Sequence, residues 1–245
     1  MVVKLVNNEL KILSGKLRDI FREIYNKIKN DENINDRNLD DKVLSLLKDY
    51  TISEENLKIK FSEPKDEIYS YEGRRTPYDL LCYGIINGKN FLIFINNKFG
   101  DLKSNTRNDV TTYNNLLRLY LGIKRQRLTS EITINGELVY NRISGNEIVS
   151  YGIFVVDKYR RGYKFFLLEE IKDDFYVNPR NNMFQIRYSP NLGDPIDYFA
   201  FVKKLIDAIL ESLEKSLNSI KTEILVLNSI KIQLINIKEG KHGED

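Results

Sequence analysis

The stretch TPYDLLCYGIINGKNFLIFINNKFGD, residues 76–101, decides how this chain is read. Two apolar runs flank Asn87-Gly88. A two-residue type I′ turn needs positive φ at both central positions, and Asn-Gly tolerates this best. With those residues as the turn, Ile86 faces Lys89, and every other opposed pair follows by counting outward. Asp79 then falls opposite Asn96, and Lys98, two residues further on, projects from the same sheet face as Asn96. Leu81, Tyr83 and Phe94 line one face and Leu80, Ile86, Phe91 and Ile93 the other, as expected of strands covered on both sides. A carboxylate, an amide and an ammonium therefore converge at one end of an apolar hairpin, where unpaired charge is costly.

Outward from the hairpin, the periodicity predicts a mixed α/β domain. Leu13, Leu17, Ile20, Phe21, Ile24 and Ile28 recur at helical spacing, which predicts an amphipathic helix over 9–30. Val43, Leu46 and Leu47 mark a shorter helix ending near Asp49. LKIKF from Leu57 reads as a strand, and Val110, Tyr113, Leu117 and Leu121 predict a helix over about 109–121. EITINGELVY, IVSYGIFVVD, YKFFLLEEI and MFQIRYS read as strands, and a long helix follows Pro195. The final EILVLNSIKIQLINI suits a strand or a helix. The expectation is one domain over 1–245, with a core at about 57–190 and helical flanks at 9–50 and 195–220.

The chain has 245 residues, 42% hydrophobic and 30% charged, enough apolar content for a sizeable core. Its single cysteine is Cys82, and its single histidine, His242, sits in the polar tail 239–245. Those counts exclude a Cys/His zinc site and an intrachain disulfide. A Ser-His-Asp or Cys-His mechanism would depend on the tail histidine. Catalysis must therefore use carboxylates, Lys, Arg, Tyr, hydroxyls or an oxygen-bound metal. MVVKLVNNELKIL is too polar for a signal peptide or a membrane span, so a cytoplasmic protein with no membrane partner is expected. A net charge of +3 is compatible with a local basic cleft and does not by itself imply nucleic acid.

Pro77-Tyr78-Asp79, followed by a strand ending in Asn96-Asn97-Lys98, resembles the signature of PD-(D/E)xK nucleases, of which type II restriction endonucleases are the best-populated group. The resemblance is good over about 71–122 and weaker over 148–190, where YVNPRNNMFQIRYS is similar to the late core strand of some restriction enzymes. It implies a mixed central β-sheet flanked by helices, with an αβββαβ core. It also implies a Mg²⁺ cofactor, double-stranded DNA as partner, a homodimer and no nucleotide cofactor. Hydrolysing a phosphodiester needs a hard cation, an activated water and neutralisation of transition-state charge. By resemblance, Asp79 is a metal ligand, Lys98 faces the water and phosphate, and Asn96 stands where a second acid is expected.

An amide brings no negative charge, and some members of the family supply the acid from the following helix. The candidates here are Asp109 in the predicted first helical turn, then Glu72, then Asp101. Arg74 and Arg75 are candidate phosphate clamps. Lys103, Arg107, Asn108, Thr111 and Asn114, in or beside SNTRNDVTTYNN, offer donors to phosphates and base edges. Asn178, Arg180, Asn181 and Asn182 form a second polar turn able to reach a groove. Each of these groups has an ordinary alternative: a strand-start acid, a solvated lysine, or a helix-start aspartate favoured by the macrodipole. Glu170-Ile171-Lys172, thirteen residues after Asp157, is a second acid-x-Lys. A turn at Arg161-Gly162 leaves Glu170 opposite Ile153, and no helix-then-strand follows, so it is rejected. Two rivals remain: a catalytically lapsed nuclease-fold DNA-binding or accessory protein, and a non-nucleic-acid helical interaction protein.

Overall fold

The structure is a computed structural model that describes residues 2–64, 77–121, 123–124, 127–128, 131–134, 137–141, 148–173 and 175–238. Helices α1 (Val2–Ile28) and α2 (Leu39–Leu47) precede strands β1 (Thr51–Glu54), β2 (Leu57–Ser62), β3 (Leu80–Ile86) and β4 (Lys89–Gly100). Strand β5 (Asn108–Thr112) leads into α3 (Tyr113–Leu121). Two short hairpins follow, β6 (Ile123–Lys124) with β7 (Arg127–Leu128) and β8 (Glu131–Ile134) with β9 (Glu137–Asn141). The chain ends with β10 (Ile148–Asp157), β11 (Tyr163–Leu167), β12 (Tyr176–Val177), β13 (Met183–Ile186) and α4 (Tyr198–Lys238).

The hairpin reading holds. Asn87 and Gly88 have φ of 49° and 75°, and the pairing runs from Ile86↔Lys89 to Leu80↔Ile95. Only glycine fits at position 84, because a Cβ there would lie 1.7 Å from the Lys58 carbonyl oxygen on β2. The main sheet has the order β1-β2-β3-β4-β10-β11. Its neighbours are antiparallel except β10, which lies parallel to β4. A parallel neighbour requires a crossover, and β5, α3 and the short hairpins lie on it.

Both faces of the sheet are covered, which is why every residue of β10 is buried. The apolar stripe of α1, with Leu17, Phe21 and Ile24, packs with Leu80, Ile93 and Phe154 on one face. On the other, Leu81, Phe94 and Tyr151 pack with Leu116 and Tyr120 of α3 and Phe201 and Leu205 of α4. The result is an α/β architecture with a six-stranded mixed sheet between helical layers. No helix among the described residues is long and apolar enough to cross a membrane.

Several expectations change. The helix predicted from 109 begins at Tyr113, and Asn108–Thr112 is a strand. Its β-branched Val110, Thr111 and Thr112 favour extension, and it pairs with β13 in a second sheet of order β12-β13-β5. MFQIRYS therefore belongs to that second sheet and not to the main one. The turn after β10 is not Arg161-Gly162. Ile153 faces Phe166, and the Asp157 N–H donates to the Gly162 carbonyl, so the loop is 158–161. The Asp157 carboxylate organises that loop by accepting the Tyr159 N–H at 2.7 Å and the Arg161 guanidinium at 2.7 Å. Glu170 lies in a 3₁₀ turn, where it accepts the Ser14 hydroxyl and the Arg18 guanidinium, so the second acid-x-Lys serves packing. Helix α1 starts before residue 9, EILVLNSIKIQLINI is helical within α4, and the edge strand β1 is an addition. Asn135-Gly136 within EITINGELVY and the tail holding His242 lie outside the described residues.

Candidate active site

The chemistry-bearing groups gather where β3 begins and β4 nears its end. Asp79 sits just before β3 and breaks the ladder. Its N–H donates to the Ile95 carbonyl at 2.8 Å, and its carboxylate accepts the Asn97 N–H at 2.8 Å. Burial, and after it the negative charge of Asp40, push the Asp79 carboxyl up to about 6, against the pull of the Asn97 N–H and Lys98. Lys98 is half-buried, and its charge acts on both Asp79 and Asp40.

Asp40 is the residue that the sequence did not reveal. It lies in the first turn of α2, where an aspartate is ordinarily explained by the helix dipole. Only the packing of α2 beside β4 brings it to Asn97, whose amide donates to it at 3.1 Å. Burial raises the Asp40 carboxyl; the Asn97 amide and Lys98 lower it, and Asp41 and Asp36 add repulsion.

Asn96 and Asn97 point to opposite faces of β4, as alternation requires. Tyr151 fixes the Asn96 amide, because its single hydroxyl proton goes to the Pro77 carbonyl at 2.5 Å. The amide must therefore turn its NH₂ toward the Tyr151 oxygen at 3.1 Å and the Val110 carbonyl at 3.4 Å. Asn97 likewise gives its NH₂ to Asp40. Both amide oxygens are left buried without a hydrogen-bond partner among the described residues. Tyr151 is raised by burial first and also by the charge of Asp79. Its hydroxyl thus ties the Pro77-Tyr78-Asp79 turn to Asn96 on β4.

The Asp79 and Asp40 carboxylates and the Asn97 amide oxygen form an all-oxygen donor set suited to a hard cation, with the Asn96 amide on the other face of the strand. No group of three or more His, Cys, Asp or Glu side chains able to hold a metal occurs among the described residues. Magnesium does not require one, since it is usually bound through one or two carboxylates and keeps several waters.

The other expected acids sit differently. Asp109 is exposed on β5, not in a helical turn, and accepts the Gln185 amide at 2.6 Å. Its charge is felt by Tyr188, which burial, then Asp36, then Asp109 push up to about 12. Asp101 is ion-paired with Arg161 and accepts the Lys103 N–H at 2.9 Å, and both contacts hold its carboxyl below the usual range. Glu72, Arg74 and Arg75 lie outside the described residues.

The second sheet unites polar segments that are far apart in sequence. Thr111 and Thr112 of β5 face Phe184 and Met183, and the Tyr113 N–H donates to the Asn182 carbonyl. Arg107 stacks over Tyr176 with 4.8 Å to the ring centroid. Lys103 and Asn114 are exposed, and the Asn108 amide donates to the Thr106 carbonyl. Thr111 is buried and its hydroxyl accepts the Asn115 amide. Asn178, Asn181 and Asn182 shape the β12–β13 turn, Asn178 and Asn181 by accepting the N–H groups of Arg180 and Met183 and Asn182 with φ 59°. A cavity of about 400 Å³ lined by Leu44, Lys48, Lys60, Phe61 and Tyr83 has none of these groups in its lining. No family model matches the chain.

Proposed function

We propose that the chain is a Mg²⁺-dependent type II restriction endonuclease of the PD-(D/E)xK superfamily, acting as a homodimer on a short specific sequence in double-stranded DNA. The observation that carries this reading is that Asp79 and Asp40 both bond Asn97, one through its backbone N–H and the other through its side-chain amide, beside Lys98 at one end of the central sheet. The element order supports it: a helix, the antiparallel strands β2-β3-β4, helix α3, and β10 parallel to β4. That is the order expected of an αβββαβ core.

Asp79 and Asp40 supply the negative charge for the cation, and the unbonded amide oxygen of Asn97 is its neutral donor. Magnesium, when bound, neutralises phosphate charge and makes a water more acidic. Lys98 holds the carboxylates in their charged form and meets the charge that builds on the phosphate oxygens in the transition state. Asp79 must be ionised to serve, which sets a lower pH limit near its raised value. In this reading Asn96 is a packing amide, and the acid expected at its position comes from α2. The exposed polar face of β5 and the β12–β13 turn supply contacts to DNA.

Digesting sequenced phage or plasmid DNA with and without Mg²⁺ tests the proposal. Discrete fragments that require the metal are expected, and intact DNA or a smear overturns it. The amide at position 96 favours one second reading, a lapsed nuclease that binds duplex DNA without cutting it. Retained duplex affinity with no cleavage under any divalent cation identifies that case.

A further inference from the structure

Helix α4 runs for 41 residues, yet only its first half is covered. Phe201, Val202, Leu205, Ile209 and Ser212 face the domain, whereas all described side chains from 217 to 232 are exposed. A separate apolar stripe passes along both halves. Leu210, Leu213, Leu217, Ile220, Ile224 and Leu227 are each between 45% and 64% exposed. Their spacing alternates three and four residues, the 3.5-residue period of a left-handed coiled-coil seam. Monomeric proteins rarely leave so long a contiguous apolar stripe in water.

We propose that this stripe is a homodimer interface, in which α4 packs antiparallel against α4 of a second copy about a two-fold axis between Asn218 and Ser219. Leu210 then meets the partner's Leu227, Leu213 the partner's Ile224, and Leu217 the partner's Ile220. Each is an a position against a d position. In an antiparallel seam the e positions flank one another, which sets Glu214 beside the partner's Lys221, and symmetry repeats the pair. A parallel pair sets Ser216 beside the partner's Lys221 and Glu223 beside the partner's Asn228, with no ion pair in either contact. Charge thus selects a second copy and the antiparallel direction together.

The off-seam residues agree. Val226 and Ile230, 53% and 45% exposed, continue the stripe that faces the domain in the first half of the helix. In the antiparallel arrangement they run back along the covered half of the other copy. The interface rests on α4 alone and holds whether or not the chain cuts DNA.

Sedimentation equilibrium on the full chain is the test. At tens of micromolar the wild type is expected at twice the chain mass, and Leu217→Glu with Ile220→Glu at the chain mass with an unchanged near-UV spectrum. Glu214→Lys and Lys221→Glu singly are expected to weaken the dimer about tenfold, since each opposes like charges twice. The double exchange, Glu214→Lys with Lys221→Glu, restores it. A monomeric wild type overturns the proposal, as does a dimer indifferent to the seam substitutions. Failure of the double exchange to recover the dimer overturns the antiparallel pairing.

Discussion

Burial, and then the charge of Asp40 across the end of β4, hold the carboxyl of Asp79 at about 6. This is an expensive arrangement for a fold to keep. An aspartate in an unfolded chain titrates near ~4, so between about pH 4 and 6 the native state binds more protons than the unfolded state. Stability from this group is therefore fully present at acid pH and lost as pH rises through the folded value. The ionised form costs about 3 kcal/mol at neutral pH. Asp79→Asn keeps an oxygen for the Asn97 N–H and removes the charge. Its Tm at pH 8 is expected several degrees above wild type, with the gap closing toward pH 4, while cleavage is lost. A lower Tm at pH 8, measured by scanning calorimetry, contradicts the strained-carboxylate account.

Lys98 lowers both carboxyls, so its removal has a signature beyond lost activity. Lys98→Ala is expected to reduce cleavage by about 100-fold or more, the usual cost of removing a group that stabilises transition-state charge. It also moves the acid limb of the pH–rate profile upward, while duplex affinity changes little. An unshifted acid limb in the residual activity would separate Lys98 from the carboxylate pair.

The second acid is decided by comparing Asp40→Asn with Asp109→Asn. Asp40→Asn is expected to raise the Mg²⁺ concentration needed for half-maximal cleavage by an order of magnitude or more. Asp109→Asn keeps an oxygen for the Gln185 amide and leaves the metal requirement near wild type. Mg²⁺ titrations of single-turnover cleavage measure both, and the reverse ranking returns the role to Asp109.

Asn96→Asp, which restores the acid of the family motif, is expected to impair the protein. Its carboxylate would face the Val110 carbonyl and the Tyr151 oxygen, whose proton is committed to Pro77. Losing a buried donor against two acceptors costs about 1–3 kcal/mol. Urea unfolding at pH 8 is expected to show a lower midpoint with an unchanged m-value. A variant that is more stable and needs less Mg²⁺ would instead make position 96 the acid site.

Much of this was legible because one turn dictates a register. Asn87-Gly88 sets the pairing from Ile86↔Lys89 to Leu80↔Ile95 and so brings Asp79 and Lys98 to one end of the hairpin. The direct Asp79–Asn96 opposition expected by counting is not formed, because the Asp79 N–H donates to Ile95 and its carboxylate takes the Asn97 N–H. The amphipathic α1 was legible because its stripe meets a flat sheet face, so burial tracks a 3.6 period. Asp40 was not, because an acid in a first helical turn has a sufficient local explanation and only packing brings it to Asn97. NDVTT carries too few residues to separate a strand from a helix start, and its partner Phe184 is far away in sequence. The loop after β10 was misread since Asp157, not glycine, organises it.

The central claim is that Asp79, Asp40 and Lys98 act together on a DNA phosphodiester. Incubating one sequenced DNA with Mg²⁺ and, in parallel, wild type, Asp79→Asn, Asp40→Asn and Lys98→Ala tests it most directly. Discrete fragments from the wild type, with cleavage by each variant lost or sharply reduced at equal duplex binding, are the predicted result. Intact DNA with the wild type, or undiminished cutting by any of the three variants, contradicts it.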